Sequence, residues 1–169
     1  MNDLPQKVKS WIGKTVIKEN NAVKVQRGLW QNFCAAVEDG NPLYWDDEKS
    51  KVYTDELIAP PAMLPSWVVH NEWHPNKEKK NRPMELHFLL KEELELPLGI
   101  VTNIEMKFYE PVKEGDSISS EQKLVEVSGK IETKLGPGRK WNIEVTYKNQ
   151  RNVIVGLQNM HFLGYKKDE

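Results

Sequence analysis

The sequence predicts an α+β fold, with helices gathered early and antiparallel strands late. Apolar residues recur at steps of three and four through the first half, whereas they alternate at every second position through much of the second half. No helix–strand alternation of the kind that builds a parallel sheet links the two halves, so a Rossmann-type arrangement is excluded.

The first helix runs from about Arg27 to Glu38, where Leu29, Trp30, Phe33, Ala36 and Val37 form one apolar stripe. Asp39-Gly40-Asn41-Pro42 stops it. Asp46 and Asp47 stand where they would cap a second helix and offset its N-terminal dipole, carrying it through Tyr53. A third helix begins at Pro60 or Pro61, because proline suits the first helical turn, and passes Met63, Leu64, Trp67 and Val68 towards Trp73. His74 to Arg82 reads as a polar loop, and Met84 to Leu94 as a short helix.

Ile100, Thr102, Ile104, Met106 and Phe108 then alternate with more polar neighbours, as do Trp141, Ile143, Val145 and Tyr147, which predicts strands with one buried face. Turns are expected at Glu114-Gly115-Asp116, at Gly136-Pro137-Gly138 and at Asn149-Gln150-Arg151-Asn152, a spacing that suits consecutive hairpins. A last strand runs from Val153 to about Leu163.

The 169 residues suffice for one domain with its own core. With 24 basic and 25 acidic residues the formal net charge is −1, so no global field draws in nucleic acid or an anionic membrane, and partners must be selected by a shaped site. No apolar run approaches the roughly 20 residues that span a bilayer. The start, Met1 to Lys7, lacks an apolar signal core, and the expected location is cytoplasmic. The single Cys34 excludes an intrachain disulfide and reads as a small buried hydrophobe. His70 and His74 are four apart, a spacing that can bind metal, but two ligands make no site and the His-Glu-x-x-His pattern is absent. No metal or cofactor is expected.

Candidate chemistry gathers at Glu38-Asp39-Gly40-Asn41-Pro42-Leu43-Tyr44, where a carboxylate, an amide and a phenol follow a helix end. Taken alone, Asp39 and Asn41 can equally be residues that cap the helix and shape the turn. The segment resembles the signature Asp-x-Asn-Pro-x-His of the MaoC-like hydratase/dehydratase family, with Tyr44 where the signature has His. Leu57-Ile58-Ala59-Pro60-Pro61-Ala62-Met63-Leu64, Tyr109-Glu110-Pro111-Val112-Lys113-Glu114-Gly115-Asp116 and Leu135-Gly136-Pro137-Gly138-Arg139 resemble further blocks of that family, in order, from roughly residue 10 to the C-terminus. The set is most similar to the family's N-terminal-type dehydratase domain, in which Tyr in place of His is usual.

That resemblance implies a single hot-dog domain over residues 1–169. An antiparallel sheet would wrap the third helix, and the first two helices would form an overhanging segment that carries Asp39. It also implies an acyl-CoA or acyl-carrier-protein thioester as ligand, and a second hot-dog subunit as partner. The partner would be either an identical chain or a catalytic one with the full Asp and His pair.

Hydration of an enoyl thioester requires an activated water, a proton donor for the α-carbon and a group that holds charge on the thioester oxygen. Asp39, Asn41 and Tyr44 are the catalytic candidates, and Pro61, Ala62 and Met63 the substrate-binding ones. Pro60 and Pro61 lack an N–H, so Ala62 and Met63 are expected to offer the first free backbone donors at the helix start. The phenol of Tyr44, with an ordinary pKa near 10, is a poor base at neutral pH. Lys77, Lys79, Lys80 and Arg82, or Arg139 and Lys140, are candidate contacts for coenzyme A phosphates.

Overall fold

The computed structural model of the chain describes residues 3–20, 23–70, 75 and 82–167. One antiparallel sheet and a set of short helices make up the architecture, as the periodicities require. The helices are α1 (Gln6–Trp11), α2 (Arg27–Ala36), α3 (Pro42–Trp45), α4 (Asp47–Thr54) and α5 (Glu85–Glu93), with a 3₁₀ helix at Pro61–Val68. The strands are β1 (Thr15–Glu19), β2 (Leu98–Phe108), β3 (Ser119–Val127), β4 (Ile131–Thr133), β5 (Gly136–Lys148) and β6 (Ile154–Tyr165). Among the described residues no helix is long and apolar enough to cross a membrane.

The sheet order is β1-β3-β5-β6-β2, with β4 pairing to the first residues of β5. Strand β5 sits centrally and alternates cleanly: Trp141, Ile143, Val145 and Tyr147 are buried, and their neighbours in the strand are not. The 3₁₀ helix and α5 both pack against this inner face. Leu64 lies against Gly156 of β6 so closely that a Cβ there would come within 2.4 Å of it, and His87 of α5 stacks on Phe162 of β6 at 4.3 Å between ring centroids. An ion pair between Lys7 and Glu93 ties α1 to α5.

Several expectations need correction. The third helix ends at Val68 and does not continue towards Trp73; it has 3₁₀ geometry and contains Pro65, which removes a donor and crowds the preceding turn. The segment meant to be wrapped by the sheet is therefore short, and α5 shares its role. His70 falls beyond the helix, and His74 lies outside the described residues, as do Lys77, Lys79 and Lys80.

Strand β2 does not bury one face. It is an edge strand, with Ile100, Val101, Ile104 and Phe108 each more than two-fifths exposed. Nor does it form a hairpin with β3, because it pairs with β6 at the opposite edge of the sheet. Gly136-Pro137-Gly138 opens β5 instead of forming a turn, and the turn lies at residues 134–135. Leu29 on α2 and Val37 just past its end are exposed, while Trp30 and Cys34 are fully buried.

Candidate functional site

Helix α2 ends because Glu38 takes a left-handed conformation, with φ of 58°. The Asp39 N–H then reaches back to the Cys34 carbonyl at 2.9 Å, and the Glu38 N–H to Ala35 at 3.4 Å, the paired closure that seals a helix C-terminus. Asp39 Oδ1 accepts from the Asn41 N–H at 3.0 Å, and Asn41 Oδ1 accepts from the Leu43 N–H at 3.1 Å. Asn41 thus caps α3, with Pro42 in its first turn. Trp45 Nε1–H donates to the Asp39 carbonyl at 2.8 Å and fixes the turn from the other side.

Tyr44 is carried by α3 into the core, where its side chain is 8% exposed. Its backbone carbonyl accepts from Trp30 Nε1–H at 3.1 Å. Burial pushes the phenol pKa up, the nearby Asp39 carboxylate and Cys34 push it the same way, and the Asn41 side chain opposes them less strongly. The Cys34 thiol is likewise pushed up, first by burial and then by Asp39. Asp39, Asn41 and Tyr44 are therefore brought together, and Cys34 joins them. Cys34 was read from the sequence only as a hydrophobe; its place five residues before Asp39, at the last turn of α2, was the available signal.

The second group of candidates lies on another element. The Ile58 N–H bonds the Leu43 carbonyl at 3.1 Å, which lays the chain before the 3₁₀ helix alongside α3. Pro61 and Ala62 are exposed and Met63 is buried. Met63 is not a free donor, since its N–H bonds the Pro60 carbonyl at 2.9 Å; Ala62 makes no such backbone bond among the described residues. A small apolar cleft opens beside this helix, walled by Pro60, Pro61, Leu64 and Trp67 and by the segment from Phe108 to Val112. Asp39, Asn41, Tyr44, Ala62 and Met63 do not line it.

Among the described residues, no histidine is hydrogen-bonded to Asp39, Asn41 or Tyr44, and no three metal-ligating side chains cluster. His87 is buried on α5 with its pKa pushed down to about 4, by burial first and then by Lys91. Of the basic candidates within the described residues, Lys140 is exposed, and Arg82 and Arg139 are engaged elsewhere. Arg82 is clamped by Glu85 at 2.7 Å and Glu92 at 2.8 Å. Arg139 is 4% exposed and bonds Asp3 at 2.6 Å and the Ser128 carbonyl at 3.0 Å, which makes it an internal tie instead of a phosphate contact.

A family model described as the FAS1-like dehydratase domain region matches residues 10–158. A probable enoyl-CoA hydratase alpha subunit from Thermomonospora curvata is 26% identical over 97% of this chain and 52% of its own length. The chain thus spans about half of that curated relative. A chain in the crystal structure of the ChsH1-ChsH2 complex from Mycobacterium tuberculosis superposes with a TM-score of 0.78 at 22% identity, covering 96% of this chain and 89% of that one. The MaoC-like dehydratase from Rhodospirillum rubrum gives a TM-score of 0.60 at 16% identity, covering 92% and 95%. These likenesses show the fold, a hot dog whose sheet is covered by the short 3₁₀ helix and α5.

Proposed function

Because the chain belongs to the FAS1-like dehydratase-domain family of MaoC-like hot dogs, we propose that it is one subunit of an acyl-CoA hydratase or dehydratase. It binds the thioester beside a second hot-dog subunit that carries the complete Asp and His pair. The observation that carries this reading is Tyr44. Where the family signature has an imidazole, this chain has a buried phenol whose pKa is raised further from neutrality, so Asp39 lacks a partner able to exchange protons readily near pH 7.

The uncovered, apolar edge strand β2 supports the partner. Edges of this kind are normally paired, covered or guarded by charge. The name of the Thermomonospora relative, an alpha subunit, and the two-component assembly of the Mycobacterium structure support a second subunit. Asp39 and Asn41 shape the wall of the site near Leu43 and Ile58, and the Ala62 N–H is the donor for the thioester oxygen at the start of the 3₁₀ helix. Pro61 and Met63 hold that start in place. A homodimeric hydratase working through Asp39 and Tyr44 is the alternative, and the raised phenol pKa weighs against it.

The test is hydration of a short enoyl-CoA by the purified chain, alone and co-purified with a hot-dog chain that has an intact Asp-x-Asn-Pro-x-His. Negligible turnover alone and turnover by the pair are expected. Strong turnover by the lone chain, lost in Tyr44→Phe, would overturn the division of labour. Acyl-CoA binding without turnover by any pair would instead make the chain a binding module.

A further inference from the structure

The turn that carries Asp39 also holds a backbone link open to chemical rearrangement. Asp39-Gly40 is the one step in the sequence where glycine follows an aspartate or asparagine, and Asp116-Ser117 the one where serine does. Pairs of this kind cyclise, because a small following residue leaves its peptide nitrogen accessible to the side-chain carbonyl carbon. The fold treats the two pairs in opposite ways.

Asp116 is buried and held at both oxygens. Its Oδ2 accepts from the Lys113 N–H at 2.9 Å, and its Oδ1 from Gln150 Nε2–H at 2.8 Å. The nitrogen that would attack is engaged as well, since the Ser117 N–H donates to Gln150 Oε1 at 3.1 Å. Asn41, the other side-chain carbonyl of the site turn, is followed by Pro42, which has no N–H to give up.

Asp39 is placed differently. It is partly exposed, Gly40 is exposed, and a Cβ on Gly40 would meet nothing within 4 Å. Glycine gives this peptide the freedom to turn its nitrogen towards the side chain. Two donors already sit on the reacting groups. The Asn41 N–H reaches Asp39 Oδ1 at 3.0 Å, where negative charge builds when Cγ is attacked. Trp45 Nε1–H reaches the Asp39 carbonyl at 2.8 Å, the oxygen of the same peptide whose nitrogen must lose its proton. A donor there favours the deprotonated peptide and so makes its nitrogen the better nucleophile.

We propose that Asp39-Gly40 is a modification site, at which the folded chain forms a cyclic imide and then isoaspartate, with Asn41 and Trp45 as the assisting donors. In the first step the Gly40 nitrogen bonds to Asp39 Cγ, and one carboxyl oxygen leaves as water with the amide and carboxyl protons. In the second, water adds to the Asp39 backbone carbonyl carbon and the bond from that carbon to the Gly40 nitrogen breaks. The nitrogen stays joined to Cγ. The main chain then runs through Cβ, one methylene longer, and the free carboxylate sits on Cα, so the turn no longer presents the side chain it was built to hold. This goes beyond the thioester reading and holds whatever ligand the site takes.

The full chain, folded, is incubated in mildly acidic buffer at body temperature, digested, and read by mass spectrometry and by labelling with an isoaspartyl carboxyl methyltransferase. Label is expected to accumulate at Asp39 and not at Asp116, preceded by a species lighter by one water. Gly40→Ala, whose methyl has open space in the fold, should lose most of the label. Trp45→Phe with an unchanged melting temperature should slow accumulation severalfold. If that variant does not fold, the unmodified chain in urea removes the same donors and should slow likewise. Absence of label from Asp39 in the folded chain overturns the proposal. Accumulation there that is equally fast or faster without the donors also overturns it.

Discussion

Placing an imidazole at position 44 should raise hydration of a short enoyl-CoA by the lone chain about a hundredfold, the usual contribution of one positioned acid/base group. Tyr44→His puts that group beside Asp39, and adding Asp39→Asn should erase the gain, because two groups that act as a unit do not contribute additively. A gain that survives Asp39→Asn would detach the new activity from the carboxylate. His87 supplies a second test at this scale, through stability. Its folded-state pKa is pushed down to about 4 from an ordinary 6.5, so the unfolded chain takes up a proton first as pH falls. Stability is full above about 6.5, drops by up to about 1.4 kcal/mol per pH unit across that window and levels off below about 4. Urea denaturation at pH 7.5 and pH 5 should show this slope, and His87→Leu should flatten it. Equal slopes in the two proteins would mean that other groups control the acid response.

At the scale of single elements, the 3₁₀ helix is seated by a glycine. A Cβ on Gly156 would lie 2.4 Å from Leu64 Cδ2 and 3.0 Å from the Lys107 carbonyl, and Leu64 is fully packed. Gly156→Ala should cost about 1–3 kcal/mol in denaturant unfolding, as overpacking of a tight core does, and should weaken acyl-CoA binding by shifting the helix. Unchanged stability would show that Leu64 has room to move. Elements with strong periodicity or explicit caps were legible in the sequence: α2, the Asp46 cap of α4 with bonds to the Glu48 and Lys49 N–H groups, and the buried alternation of β5. Those cues are local and survive folding unchanged. Gly136-Pro137-Gly138 misled because glycine there answers a long-range need. A Cβ on Gly138 would come 2.4 Å from the Gly164 carbonyl on β6, a closeness that no neighbouring residue announces. Strand β1 was missed since five residues with mixed exposure carry almost no pattern. At the site, the turn through Asp39 and Asn41 was legible from its residues, whereas the burial of Tyr44 and the loss of Met63 as a donor depend on packing and on 3₁₀ geometry.

For the whole molecule, the exposed apolar residues of β2 predict association. Light scattering at micromolar concentration should show at least a dimer, alone or with a second hot dog, because such an edge is a template for another chain. Ile104→Lys, at a position 49% exposed in mid-strand, should give a monomer with an unchanged circular dichroism spectrum. A stable monomer of the unmodified chain would remove the partner from the reading. The exposure of β2 was not legible in its alternation, since the sequence records an apolar face and not the strand's place at the edge of the sheet. The other edge of the sheet has a different consequence. Thr15 of β1 pairs with Lys123 of β3, so a loop of about a hundred residues must close before that contact forms, and closure of long loops slows folding. During synthesis β1 waits for β3, and β2 waits for β6, whose Tyr165 pairs with Leu98 at the start of β2. The sheet therefore cannot close until β6 has been made, and until then the nascent chain carries unpaired strands that a chaperone can hold.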